Sequence, residues 1–170
     1  NSCLITGITG MVGSHLADYL IENTDWEIHG LCRWNDDFSN INHLIPMINN
    51  KNRLHLIYGD LNDYPSLQEA VSKSSPDYVF HLAAQSYPKT SFSAPLETLQ
   101  TNIIGTANLL ESIRKSNLNP VIHVCASSEV FGRVSKENLP IHEDITFHPA
   151  SPYAISKVGT DLVGRFYGEA

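Results

Sequence analysis

The chain has 170 residues, which is enough for one domain with a full hydrophobic core. Its formal net charge is −7, from 11 basic and 18 acidic residues, and this argues against a nucleic-acid-binding surface. No apolar run approaches the roughly 20 residues of a membrane span, so we expect no membrane segment. The three cysteines are scattered and odd in number, which predicts a reducing, cytoplasmic location. The eight histidines show no metal-site spacing, so we expect no metal.

Apolar, strand-like runs alternate with helix-like runs along the chain. In order, the sequence predicts a strand at 2–6, a helix at 11–21, a strand at 27–32, a short helix at 41–48, a strand at 53–58, a helix at 65–71, a strand at 77–82, a long helix at 95–116, a strand at 120–126, an irregular stretch at 132–150 and a helix at 152–168. This alternation indicates an α/β fold with a doubly wound parallel sheet, the Rossmann-like dinucleotide-binding architecture. We expect residues 1–170 to form one NAD(P)-binding domain, with a sixth strand and the substrate-binding region missing.

Three glycines stand where the first strand turns into the first helix. Gly7 permits the tight turn, Gly10 lets the backbone approach a pyrophosphate, and Gly13 lets helix and strand pack closely. The start of the helix supplies amide N–H groups and a positive dipole end for the anion. The loop therefore predicts a dinucleotide site.

The end of the second strand bears on the choice between NAD and NADP. A residue about 20 positions beyond the glycines contacts the ribose, and here it is Arg33, whose planar fork suits a 2′-phosphate. Asp36 and Asp37 follow closely and complicate this interpretation. The sequence favours NADP, with NAD possible. The segments 60–61 and 82–86 follow the third and fourth strands, at the sheet edge where such folds bind ligands.

Tyr153 and Lys157 are four residues apart, so they share one face of the last helix. A nearby ammonium should lower the phenol pKa from about 10 and make Tyr153 a proton acceptor or donor near neutral pH. Ser127, at the end of the fifth strand, could hydrogen-bond the same substrate oxygen. Glu129 beside it adds a carboxylate able to remove a carbon-bound proton and so permit loss of water.

In combination, these motifs resemble the extended short-chain dehydrogenase/reductase superfamily. The resemblance rests on T-G-x-x-G-x-x-G at 6–13, on D-L at 60–61, on H-L-A-A-Q-S at 81–86, and on Ser127, Tyr153 and Lys157. Within the superfamily the chain looks most like GDP-mannose 4,6-dehydratases, on the stretches 30–33, 58–61, 83–86, 90–92, 127–129 and 151–154. That likeness implies NADP, a GDP-linked sugar and a homo-oligomer, a dimer or tetramer, with contacts near Arg33.

The resemblance also implies roles for individual residues. Ser127 stands where these dehydratases usually have threonine, Glu129 matches their dehydration base, and Tyr153 and Lys157 match their redox acid/base and its partner. Tyr153 would take the C4 hydroxyl proton while hydride passes to NADP⁺. Glu129 would then remove the C5 proton, water would leave from C6, and hydride would return to C6. The implied cofactor-binding residues are Gly7, Thr9, Gly10, Met11, Val12, Gly13, Arg33, Asp60, Leu61, Leu82, Ala83, Ala84, Gln85, Ser86, Tyr153 and Lys157.

Other functions stay open from the sequence alone. The segment 139–153 also resembles reductases acting on GDP-4-keto-6-deoxymannose, some of which carry an acidic residue at the Glu129 position. Sugar-nucleotide epimerases do not require Glu129, and a GDP-heptose could replace GDP-mannose. A non-catalytic NADP-binding protein on the same fold is a further alternative, but the complete Ser127, Tyr153 and Lys157 set argues against it.

Overall fold

The computed structural model of the protein describes residues 1–48 and 53–169. The strands are β1 (Ser2–Thr6), β2 (Glu27–Cys32), β3 (Leu54–Tyr58), β4 (Tyr78–His81) and β5 (Val121–Val124). The α-helices are α1 (Met11–Asn23), α2 (Tyr64–Ser74), α3 (Pro88–Ser93), α4 (Pro95–Leu99), α5 (Gly105–Lys115) and α6 (Pro152–Glu169). The predicted bounds of β1 and β2 are confirmed to the residue, because each apolar run there meets a polar or glycine boundary.

The strands form one parallel sheet in the order β3-β2-β1-β4-β5. The chain moves outward from β1 to β3 and then returns to the other side of β1, so the order reverses between β1 and β4. Thr6, the last residue of β1, lies beside His81, the last residue of β4. The doubly wound α/β fold is confirmed, and its topological switch point lies at these two residues, where such sheets bind ligands.

Hydrophobic side chains cover both faces of the sheet. Cys3 and Ile5 on β1 belong to a buried cluster with Ala17 and Leu20 of α1. Leu4 alternates with them along the strand, so it points to the opposite face, and it is also fully buried. A parallel sheet buried in this way explains why its strands are continuous apolar runs rather than alternating ones.

The chain divides into two compact units. The sheet unit comprises Asn1–Ala83 and Asn108–Val124, and it contains all five strands of the sheet. The helical unit comprises Ala84–Ala107 and the chain from Cys125 onward, and it contains α3, α4 and α6. The predicted glycine loop thus belongs to the sheet unit, and the predicted catalytic residues belong to the helical unit.

Two helix predictions need correction, and one helix was missed. The short helix predicted at 41–48 is a 3₁₀-helix over Ser39–Met47 that contains Pro46, a residue that cannot donate an α-helical backbone hydrogen bond. The long helix predicted at 95–116 is interrupted by a π-helical turn at Gln100–Ile104. The helix α3 was not predicted. Within residues 1–48 and 53–169, no helix combines the length and apolarity that a membrane crossing requires.

Candidate active site

Gly7 and Gly13, in the loop after β1 and the first turn of α1, occupy positions that only glycine fits. Gly7 adopts φ +74°, and a Cβ built there would lie 3.1 Å from the backbone of Ala83. A Cβ on Gly13 would lie 2.3 Å from the Gly7 carbonyl oxygen, which is far inside contact distance. At Gly10 the same oxygen would be 3.2 Å away. The loop and the first turn of α1 therefore pack backbone against backbone.

The start of α1 leaves amide groups available to an anion. Gly10 caps the helix without a side-chain hydrogen bond, and the first backbone bond runs from Ser14 N to Gly10 O at 3.0 Å. The amides of Met11, Val12 and Gly13 precede this bond, and no acceptor for them is found among the described residues. The side chains of Met11 and Val12 are also largely exposed. Unpaired donors and the positive end of a helix dipole fit a dinucleotide phosphate.

The hydroxyl of Thr6 holds the end of β4 next to this loop. Thr6 Oγ1 accepts the backbone N–H groups of Leu82 and Ala83, both at 3.1 Å, and lies 2.8 Å from His81 Nδ1. Thr6 and His81 are buried. The backbone after β4 is thus fixed beside Gly7, and the structure brings together these two predicted cofactor segments.

Arg33 is hydrogen-bonded to the carboxylate of Asp36, which follows it by three residues. Its Nε donates to Asp36 Oδ1 at 2.9 Å, and its backbone N donates to Asp36 Oδ2 at 3.0 Å. Thr9 Oγ1 of the glycine loop donates to the same Oδ2 at 2.9 Å. Burial by itself would raise the pKa of Asp36, but the hydrogen bonds from Arg33 and Thr9 lower it below its ordinary value. Asp36 therefore joins Arg33 to the glycine loop.

Two further predicted cofactor segments are held by local hydrogen bonds. Asp60 Oδ1 accepts the amide of Asn62 at 2.8 Å, and the carbonyl of Leu61 accepts from Asn108 Nδ2 at 2.9 Å. In the helical unit, the segment 84–86 is fixed through Gln85. Its backbone N donates to Asn102 Oδ1 at 2.8 Å, and its backbone O accepts from Asn102 Nδ2 at 3.0 Å.

The helical unit brings the predicted catalytic residues into one cluster. Ser127 precedes a 3₁₀-helix at Ser128–Phe131, and its hydroxyl accepts the backbone N–H of Glu129 at 3.2 Å. Tyr153 lies in the first turn of α6, 8% exposed. A hydrogen bond to Ser127 and the charge of Glu129 both affect its pKa, so both groups act on the phenol.

The direction of the Tyr153 pKa differs from the sequence prediction. Burial of the phenol raises its pKa above the ordinary value of 10.0, the Ser127 hydrogen bond lowers it, and the negative charges of Cys125 and Glu129 raise it. The net shift is upward. The prediction that Lys157 lowers the pKa of Tyr153 is wrong, because desolvation of the phenolate outweighs the favourable interactions.

The surroundings of Lys157 explain part of the difference between the predicted and the actual direction of the Tyr153 pKa. Its Nζ donates to the carbonyl oxygen of Cys125 at 2.8 Å and lies 6.0 Å from the centre of the Tyr153 ring. The side chain is nearly fully buried, and burial lowers the pKa of Lys157. Lys157 and Tyr153 do lie on the same face of α6, but the Lys157 ammonium donates its hydrogen bond to the backbone carbonyl of Cys125.

A separate cleft of about 440 Å³ lies in the helical unit. Its walls include Phe131, Arg133, His142 and His148 but none of the predicted catalytic residues. Among the residues that the structure describes, no group of three histidine, cysteine or acidic side chains could hold a metal ion.

The chain is similar in sequence to known GDP-mannose 4,6-dehydratases. A family model described as GDP-mannose 4,6 dehydratase matches residues 4–170. GDP-mannose 4,6 dehydratase 1 of Arabidopsis thaliana is 38% identical over 98% of this chain and 47% of its own length. The chain thus spans about half the length of the curated relatives it matches.

Solved structures show the same fold. A double mutant of DesIV from Streptomyces venezuelae, a dTDP-glucose 4,6-dehydratase with NAD bound, superposes with a TM-score of 0.87 at 27% identity, covering 100% of this chain and 52% of its own. RMD from Pseudomonas aeruginosa complexed with NADPH gives a TM-score of 0.76 at 30% identity, covering 99% and 50%. Since the family match extends over nearly the whole chain, this protein belongs to the GDP-mannose 4,6-dehydratase family.

Proposed function

We propose that the full-length protein is a nucleotide-sugar 4,6-dehydratase that converts GDP-mannose, or a close GDP-sugar, to the 4-keto-6-deoxy sugar. The observation that carries this proposal is the cluster of Ser127, Glu129, Tyr153 and Lys157, in which the charge of Glu129 acts on the Tyr153 phenol. A hydroxyl, a phenol and an ammonium suffice for alcohol–ketone interconversion. The added carboxylate provides the second base that elimination of water needs.

The cofactor we propose is NADP, held at the glycine loop of the sheet unit. A bound nicotinamide dinucleotide supplies a hydride acceptor that later returns the hydride. The unpaired amides of Met11, Val12 and Gly13 fit its phosphates, and the guanidinium of Arg33 suits a 2′-phosphate. The solved relatives contain NAD in one case and NADPH in the other, so they support a nicotinamide dinucleotide of either type.

The residues of the helical unit divide the proton transfers between them. Tyr153 accepts the proton of the sugar C4 hydroxyl, and the Ser127 hydroxyl hydrogen-bonds the same oxygen. Tyr153 must be a phenolate to accept this proton, and because burial raises the pKa of the phenol, that phenolate is a strong base. Glu129 is exposed, so it can act as the base for the more acidic C5 proton of the 4-keto intermediate. Glu129 can pass the proton it took from C5 to the C6 hydroxyl, which leaves as water, and the proton held by Tyr153 is available to C5 when the hydride returns to C6.

The test replaces Glu129 by glutamine in the full-length protein. We expect Glu129→Gln to lower dehydration at least about 100-fold, the usual contribution of a positioned base, while NADPH binding stays unchanged. Glu137→Gln is the matched control, because Glu137 is also an exposed glutamate of a 3₁₀-helix in the helical unit. It should keep wild-type turnover. Wild-type dehydration in Glu129→Gln would show that Glu129 is not the dehydration base and would remove the observation on which this proposal depends.

We further propose that the protein is a homo-oligomer assembled from copies of this chain. Support comes from an apolar stripe on α6, formed by Ile155, Leu162 and Phe166, which are 49%, 53% and 65% exposed. Their spacing of seven and four residues places them on one side of the helix. A contiguous exposed apolar surface of this kind is typical of interfaces. Leu162→Glu should shift the protein to a smaller species in analytical ultracentrifugation, and an unchanged species would rule this face out.

A cytoplasmic location and a single domain over 1–170 stay predictions. Supporting the first, burial raises the pKa of the Cys3 thiol to about 12 and that of Cys32 to about 11, so both behave as protonated, inert thiols. Cys3, Cys32 and Cys125 are all free, and free cysteines are typical of reducing compartments.

A further inference from the structure

The loop between the Glu129 turn and α6 closes on itself. It leaves the 3₁₀-helix at Ser128–Phe131 and returns to it at His148, whose backbone N donates to the Val130 carbonyl oxygen at 2.8 Å. Surface loops whose two ends lie close together often contribute to function. The mechanism above uses Glu129 and Tyr153, on either side of this loop, and assigns no role to the loop itself.

Gly132 makes this closure possible. It adopts φ +57°, a backbone conformation that favours glycine. A Cβ built on Gly132 would lie 2.0 Å from the His148 carbonyl oxygen, so the two backbones meet with no space for a side chain. The backbone N of Gly132 also donates to the Glu129 carbonyl oxygen at 3.1 Å. The residue that meets His148 is therefore the same residue that ends the Glu129 turn.

Two aromatic rings hold the ends of the loop together through side chains. The ring centroids of Phe131 and Phe147 are 5.9 Å apart, and the rings are tilted by 55°. The guanidinium carbon of Arg165, on α6, lies 5.9 Å from the centre of the Phe147 ring. The returning end of the loop is thus attached both to the Glu129 turn and to α6.

That returning end leads directly into the catalytic turn of α6. Tyr153 follows His148 by only five residues. Between them, Ser151 Oγ accepts the backbone N–H of Ala154 at 2.9 Å, which fixes the start of the helix. Because so little chain separates His148 from Tyr153, the closure at His148 sets the distance from the Glu129 turn to the phenol.

We propose that Gly132 is a positioning residue, which lets the loop close on His148 and so holds the Glu129 carboxylate at a fixed distance from the Tyr153 phenol. This inference rests on the proposed function for its catalytic consequence, but its structural part stands by itself. A reaction that uses two bases in succession on one bound sugar needs both of them in fixed places.

Loss of the closure should move Glu129 rather than Tyr153. The first turns of α6 bury Ala154, Ser156 and Lys157 as well as Tyr153, so the helix is held independently of the loop. Glu129 is exposed, and only one residue of its 3₁₀-helix, Val130, is buried. Opening the closure should therefore slow removal of the C5 proton and spare the oxidation at C4.

The first test measures the structural part alone. In Gly132→Ala the added Cβ must push the His148 carbonyl away, so the bond from His148 N to Val130 O should weaken. We expect hydrogen exchange of the His148 amide to become at least about tenfold faster. Unchanged exchange there would overturn the proposal whatever the protein catalyses. If Gly132→Ala fails to fold, Phe147→Leu removes the ring contact without adding bulk; it should also speed this exchange, and a wild-type rate would overturn the proposal.

The second test follows the two steps separately in the full-length protein with NADP⁺ and GDP-mannose. Hydride transfer from C4 reduces the nicotinamide, and its absorbance reports that step before Glu129 acts. Gly132→Ala should lower kcat about 10- to 100-fold, the effect of a displacement of about 1 Å. The first hydride transfer should stay within about threefold of wild type, so that reduced cofactor accumulates, and KM should change by less than about twofold.

Two results of this second test would contradict the positioning role. Wild-type kcat in Gly132→Ala would show that Glu129 does not depend on the closure. A fall of the first hydride transfer equal to the fall of kcat would show that the Tyr153 phenol is displaced as well.

Gly168→Ala is the matched control. Gly168 lies on α6 in the same unit, and a Cβ there would meet no atom of the described residues within 4 Å. This variant should keep wild-type exchange at His148 and wild-type kcat, and equal changes in it would show that the closure is not responsible. If the wild-type protein dehydrates no GDP-sugar, the proposed function fails, while the exchange result still decides whether Gly132 lets the loop close on His148.

Discussion

Replacing Gly13 by alanine should damage the cofactor loop more than any other glycine change in it. The added Cβ would lie 2.3 Å from the Gly7 carbonyl oxygen, whereas ordinary contacts begin at 3.4 Å. The first turn of α1 must therefore move by about 1 Å against a well-packed strand. Overpacking of this kind costs up to about 3 kcal/mol. At roughly 2–4 °C per kcal/mol for a chain of this size, a cost at that upper limit lowers Tm by about 6–12 °C.

Differential scanning calorimetry gives the Tm, and quenching of protein fluorescence by NADPH gives the affinity. Since the displaced turn carries the amides of Met11 and Val12, we expect NADPH to bind at least about tenfold more weakly. Gly10→Ala is the matched control for stability, because its Cβ would meet the same oxygen at 3.2 Å and needs only a few tenths of an ångström. Its Tm should stay within about 2 °C of wild type. Equal losses of Tm in the two variants would refute the close-packing argument.

Three further predictions concern charge. Arg33→Ala should weaken NADPH binding about 10- to 100-fold and NADH binding far less, since it removes a charge-assisted contact to the 2′-phosphate; equal losses in two parallel titrations would count against that contact. The titration of the Tyr153 phenol, followed as the difference in phenolate absorbance between wild type and Tyr153→Phe, should have its midpoint above pH 10, and the midpoint should move downward in Glu129→Gln; a midpoint below pH 10 in wild type would contradict the burial argument. Burial, and then the charge of His55, lower the pKa of His29 below 6.5 in the folded protein. As the pH drops from 7 toward about 5, His29 therefore binds a proton more readily in the unfolded chain than in the folded one, and Tm should fall. The slope should be smaller in His29→Phe, and an equal slope would show that His29 is not responsible.

Local sequence patterns predicted most of the sheet unit. The turn at Gly7 and the strand bounds follow from apolar runs that end at glycine or polar residues, which is information held within a few positions. The spacing of Tyr153 and Lys157 also places them correctly on one helix face. Their electrostatics could not be predicted in the same way. The shift of the Tyr153 pKa depends on burial by distant residues, and the Lys157 ammonium bonds a carbonyl 32 positions away.

The π-turn shows the same limit. The apolar residues of 95–116 keep helical spacing, so the pattern predicts one regular helix. Asn102 turns its amide to Gln85 and its carbonyl to Thr160, 58 positions away, and only the folded helical unit supplies that partner. A buried asparagine in an apolar stripe was the available signal. The contacts of Asp36 could not be predicted for the same reason, because one of its three hydrogen-bond donors is Thr9, which lies outside its own loop.

The central claim is dehydration with internal return of the hydride, and one measurement tests it directly. The full-length protein is incubated with GDP-mannose and substoichiometric NADP⁺, and the nucleotide sugars are weighed by mass spectrometry. The account predicts many turnovers per cofactor and a product lighter by one water. Unchanged GDP-mannose would contradict it and point to a reductase or to a different sugar nucleotide. Conversion limited to the amount of NADP⁺ added would contradict it as well, because it would be a net oxidation in which the hydride is not returned.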